Sequence, residues 1–178
     1  MIYKVFLRIL VCAAVFGYGV GPAAAADPKL IARHDKWGSY VIHEKGGKVC
    51  YMASSPDKQD ARLNGKNRGD VYALVTNRPD EGTKNVFTYI AGYTYKQGSE
   101  ASVTIDGGKP FPLFTKGDSA WARKSDVDNR IAGALRKGSV MIVRGASSHG
   151  THTVDSFSLK GAGSAWADID RECSGNRH

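Results

Sequence analysis

Three cysteines, Cys12, Cys50 and Cys173, carry the most consequential chemistry in this 178-residue chain. A cysteine can serve as nucleophile, metal ligand or half of a disulfide, and the compartment decides which. Residues 1–26 indicate the compartment. Lys4 and Arg8 give a basic start, residues 9–20 form an apolar run, and Pro22 with Ala23, Ala24, Ala25 and Ala26 offers a small-residue cleavage site before Asp27. That order reads as a secretory signal peptide, cut after Ala26, which removes Cys12. The apolar run is too short for a membrane span. A lipoprotein signal would need a small residue directly before its cysteine, and Val11 stands there. The mature domain, residues 27–178, then keeps Cys50 and Cys173. An even pair in an oxidising compartment reads as a disulfide; the alternative is two free, buried thiols.

The remaining polar candidates are weaker. His149 and His152 form an H-x-x-H pair, but neither a cysteine pair nor an H-E-x-x-H helix accompanies them. Residues three apart on a strand also point to opposite faces, so no metal site is assigned. Ser147, Ser148 and His149 suggest a nucleophile and its base. The flanking glycines do not fit a nucleophile elbow, however, and a strand rather than a helix follows. These read as turn residues, and neither catalytic residues nor a cofactor is assigned. Arg68-Gly69-Asp70 is an RGD tripeptide, read here as a glycine turn leading into a strand. Lys66 and Arg68 are candidates for contact with an anionic surface. Asp155 shares a strand face with Phe157 and Leu159. If that face is buried, Asp155 must be paired or hydrogen-bonded, which makes it a structural carboxylate. Trp37, Trp121 and Trp166 are expected in the core rather than on a sugar-stacking platform.

The elements that must position these residues are mostly strands. Residues 40–44 and 48–53 flank Lys45-Gly46-Gly47 as a hairpin. Residues 54–68 lack a periodic apolar face and read as a long loop. Strands follow at 70–76, 86–91, 102–105, 111–114, 140–143 and 151–159, with turns at 78–82 and 106–108. Ser125 and Asp128 resemble a capping box opening a helix whose face carries Val127, Ile131 and Leu135 and which Gly138 can end. A second helix, residues 164–173, places Ala165, Ile169 and Cys173 on one stripe, aiming Cys173 at the core. Residues 174–178 read as a disordered tail. The expected fold is mainly β: a single β-sandwich-like domain with two short helices.

The formal charge is +8. Removing Lys4 and Arg8 leaves about +6, a bias toward anionic partners. Nothing in the sequence specifies nucleic acid, and no mature segment approaches the length of a membrane helix.

Several blocks in order resemble the invasion-associated locus B family of exported Gram-negative proteins. They are Lys48-Val49-Cys50-Tyr51; Asn67-Arg68-Gly69-Asp70-Val71-Tyr72 with Val75-Thr76-Asn77-Arg78-Pro79; Phe114-Thr115-Lys116-Gly117-Asp118 with Ala120-Trp121; Ala134-Leu135-Arg136-Lys137-Gly138 with Met141; and Gly150 through Leu159, ending at Cys173. The resemblance implies a small exported β-rich domain without a known enzymatic activity, linked in some pathogens to host-cell invasion. It supplies no catalytic residues. The expectation is an exported protein of the periplasm or cell surface, acting as a non-enzymatic binding module toward an envelope component or a host-cell surface. A structural periplasmic protein with an envelope or stress role is the alternative. A hydrolase using Ser147 and His149 is a third reading.

Overall fold

The structure, a computed structural model, describes residues 27–59, 62–63 and 66–174. The signal peptide and residues 175–178 of the expected tail lie outside the described residues. Ser174, expected in that tail, is instead the last residue of a helix.

Twelve strands run along the described chain: β1 (Lys29–His34), β2 (Trp37–Glu44), β3 (Gly47–Ser54), β4 (Arg62–Leu63), β5 (Lys66–Asn67), β6 (Tyr72–Arg78), β7 (Thr83–Ile90), β8 (Glu100–Ile105), β9 (Phe111–Lys116), β10 (Ser119–Trp121), β11 (Val140–Ala146) and β12 (His152–Ser158). Two helices, α1 (Ser125–Leu135) and α2 (Ala162–Ser174), interrupt them. Ten strands form one antiparallel sheet in the order β1-β2-β3-β6-β7-β10-β9-β8-β11-β12, and β4 pairs with β5 separately.

The strands form because apolar side chains alternate with polar ones at the strand period. In β6, Ala73 and Val75 point inward; in β12, Thr153, Asp155 and Phe157 do. The sheet curls until its ends face each other. Tyr89 on β7 meets Phe157 on β12 edge-on, with ring centroids 6.3 Å apart, although four strands separate their own in the sheet. The Trp37 indole N–H at the start of β2 donates to the Ser158 carbonyl at the end of β12, 2.9 Å away. The interior between the two halves holds Trp37, Met52, Val75, Phe87, Leu113 and Met141, all fully buried. The architecture is therefore mainly β and sandwich-like, as expected. The free edge of β12 is blunted by a bridge from Lys58 to Ser156, which removes an exposed pairing template.

The helices close the open sides. Ile131 and Leu135 of α1 face inward, and α1 packs on β7. The second helix lies across β1, β2, β3 and β6, burying Ala162, Ala165 and Ile169.

Several expectations need correction. The 54–68 loop contains two short strands and the bridge to β12, because Lys58 completes hydrogen bonds that the last strand would otherwise leave open. Two strands, β1 and β10, were not anticipated; β10 is only three residues long, too short to show alternation. The capping box does not form. Lys124 is the N-cap, with no side-chain cap hydrogen bond, and Asp128 is turned into the protein. There its carboxylate accepts the Phe87 backbone N–H at 2.9 Å. The tryptophans divide: Trp37 is buried, whereas Trp121 and Trp166 are half-buried. Trp166 lies beneath the Arg136 guanidinium, 3.7 Å from the ring centroid, and its N–H donates to Asn85.

Candidate functional site

Cys50 sits at the centre of β3 and Cys173 in the last turn of α2, and they form a disulfide with Cα atoms 5.9 Å apart. The strand alternation of β3 turns Cys50 inward with Met52, and the helical stripe of Ala165 and Ile169 brings Cys173 down to meet it.

The densest polar constellation lies between the two halves of the sheet. Asp155 is fully buried on β12. Its carboxylate receives both terminal nitrogens of Arg68, each at 2.7 Å, in a bidentate pair. The Tyr89 hydroxyl on β7 donates to the same carboxylate. The Arg68 Nε–H donates to the Ala91 carbonyl at 2.6 Å, and the guanidinium stacks 4.8 Å from the Tyr93 ring centroid. Tyr93 in turn shares a hydrogen bond of 2.7 Å with Thr153. Burial and then the Asp155 charge push the Tyr89 phenol well above its ordinary pKa, so it remains a donor. Burial works against the Arg68 charge, but the Asp155 hydrogen bonds and the surrounding negative charge outweigh it and raise its pKa.

Arg68 is thus not a surface contact. Its side chain is 0% exposed, because the glycine after it lets two backbones meet. Gly69 N–H donates to the Gly92 carbonyl at 2.9 Å. A Cβ on Gly92 would lie 2.4 Å from the Gly69 oxygen, and Gly92 has a φ of +68°. This close approach turns Arg68 inward and removes the arginine of the RGD tripeptide from solvent. Lys66 lies on β5, and its side chain is outside the described residues.

A second cluster holds α2 to the first hairpin. Asp168 accepts hydrogen bonds from Ser39 at 2.9 Å and Arg171 at 2.6 Å, and pairs with His34 at 2.7 Å. Burial tends to raise the Asp168 pKa. The His34 and Ser39 hydrogen bonds, the His34 charge and Arg171 overcome it and hold the carboxyl below the ordinary aspartate range. A depressed folded pKa gives stability that is complete above the unfolded value of about 4 and disappears as pH falls through the lower folded value. The stability gap between wild type and Asp168→Asn is accordingly expected to be widest near neutral pH and to close under strongly acid conditions. Urea midpoints at stepped pH measure it, and a gap that does not narrow in acid contradicts it.

Ser147 and His149 do not assemble as nucleophile and base. Ser147 is buried, and its hydroxyl accepts the Thr151 N–H at 3.2 Å within the turn, while His149 is exposed at the turn's tip. Among the described residues, no three His, Cys, Asp or Glu side chains are grouped to hold a metal ion. No described helix is long and apolar enough to cross a membrane.

Sequence reasoning required a partner for a buried Asp155 but did not find Arg68, 87 residues away, or Tyr89, 66 residues away. The His34–Asp168 pair spans 134 residues and left no local signal. Chemically, the Arg68–Asp155–Tyr89 arrangement joins β12 and β7 to the segment before β6. Asp155 and Tyr89 are essentially sealed from solvent.

No curated protein and no solved structure matches the chain. The family model described as invasion associated locus B (IalB) protein matches residues 37–170. That span runs from the buried Trp37 through the Arg68–Asp155 pair into α2, and the chain belongs to the invasion associated locus B family.

Proposed function

We propose that the protein is exported through cleavage of residues 1–26, works in the periplasm or at the cell surface, and acts as a non-enzymatic binding module contributing to host-cell interaction. The observation that carries this reading is the closure of the Arg68–Asp155–Tyr89 constellation. Its acid is 0% exposed and the arginine side chain likewise, so the groups best suited to chemistry are committed to holding the sheet halves together. The outward faces of the strands are left as the working surface. The disulfide is compatible with an oxidising compartment.

The test combines fractionation, N-terminal mass spectrometry and an adhesion assay. Mature protein beginning at Asp27 in the periplasmic or outer-membrane fraction, together with reduced host-cell adhesion after gene deletion, is the expected result. Uncleaved protein in the cytoplasm overturns the reading. Periplasmic confinement with unchanged adhesion replaces it with a structural envelope role.

A further inference from the structure

The outward face of β8, β9, β11 and β12 carries a groove of about 810 Å³, a volume in the range of ligand sites. The sheet register lines up Pro112, Ser102, Arg144 and Val154 in one row across these four strands. Three exposed cations line the groove: Lys96, Lys109 and Arg144. None of the three makes an ion pair among the described residues, whereas Lys36, Lys48, Arg78, Lys84 and Lys160 elsewhere each face a carboxylate. The groove's own carboxylate, Glu100, is occupied by Arg123 at 3.3 Å. His152 adds a further site for positive charge at the rim.

An aromatic shelf borders this row. Glu100 is the register partner of Phe114, and Phe114 that of Trp121. The two rings lie 5.4 Å apart between centroids, tilted by 31°, and both are half-buried on the outward side. Nothing in the core accounts for a stacked aromatic pair facing out beside unpaired cations. Aromatic faces accept the apolar C–H faces of sugar rings, and arginine and lysine accept carboxylate or sulfate groups.

We infer that this groove binds an acidic glycan, a polysaccharide carrying carboxylate or sulfate groups. The inference rests on the binding-module reading and names its ligand class. Arg144 sits centrally in the row and provides the charge-assisted contact, Lys109 and Lys96 extend it, and Trp121 with Phe114 provides the sugar platform.

Calorimetric titration of the disulfide-intact protein at about 0.15 M salt, where long-range attraction is screened, tests this. The probes are a sulfated heparin-derived oligosaccharide, a carboxylate-only uronate oligosaccharide, neutral dextran oligosaccharide and phosphatidylglycerol vesicles. Binding to at least one acidic oligosaccharide and not to dextran is expected, and the two acidic arms separate sulfate from carboxylate recognition. Lys109→Ala/Arg144→Ala should weaken binding at least tenfold and Trp121→Ala severalfold. Lys45→Ala/Lys137→Ala, which removes the same charge from exposed positions outside the groove, should leave it unchanged. Equal loss in both double variants, binding to neither acidic oligosaccharide, or groove-dependent binding to vesicles alone overturns the proposal. Normal host-cell adhesion by a protein that ignores both glycans removes the glycan groove and leaves the binding module standing.

Discussion

Asp155→Ala is expected to destabilise the protein by about 3–5 kcal/mol, the cost of stranding one member of a buried ion pair. The substitution leaves the Arg68 guanidinium without either of its 2.7 Å carboxylate contacts in a site where its side chain has no exposure. Arginine cannot shed its proton to relieve the burial. Tyr89→Phe removes a single donor to the same carboxylate and should cost less, about 1–2 kcal/mol. The pair Arg68→Met and Asp155→Leu separates two explanations. If the unpaired charge is what destabilises the single variants, the apolar double variant will be more stable than either of them. Guanidinium midpoints with unchanged slope give the comparison. An Asp155→Ala variant within about 1 kcal/mol of wild type would contradict a sealed pair.

Loss of the disulfide is the second large effect. Cys50 and Cys173 are 123 residues apart, and a crosslink closing a loop that long is worth up to about 5 kcal/mol in the chain-entropy model, with 2–5 kcal/mol typical of native bridges. Cys50→Ala/Cys173→Ala is expected to fall in that range. The loss should concentrate in α2, whose buried face is only Ala162, Ala165, Asp168 and Ile169. Hydrogen exchange should therefore show α2 amides losing protection before those of β6 and β7. Uniform loss across the sheet, or an unchanged denaturation midpoint, would count against this assignment.

How much of this was legible in the sequence follows from the range of each interaction. The mainly β pattern, the hairpin at Lys45-Gly46, α2 and the inward stripe ending at Cys173 are local periodicities, and each appears in the structure. The disulfide was legible because only two mature cysteines were available to pair. Ser125 and Asp128 misled because a short acidic side chain in the first turn can serve either its own helix or a neighbouring strand; the Phe87 N–H, 41 residues back, took it. Arg68 misled more severely. A basic residue in a polar stretch reads as solvated, and only the contact between Gly69 and Gly92 shows that the chain turns it inward. Trp121 escaped because a three-residue strand has too little pattern to reveal which side faces out.

The disulfide's span also governs the order of assembly. A chain made from its N-terminus presents Cys50 early and Cys173 among its last residues. Asp155 likewise arrives 87 residues after the arginine it neutralises. Until then β3 holds a reactive thiol and Arg68 has no counter-ion, so the early strands form a half-structure with nothing covalent to retain it. A foreign thiol added during that interval would cap Cys50 and stop the ring from closing. The last helix is therefore the step that commits the fold, and folding yield should depend on an oxidant acting after, not before, the C-terminus emerges.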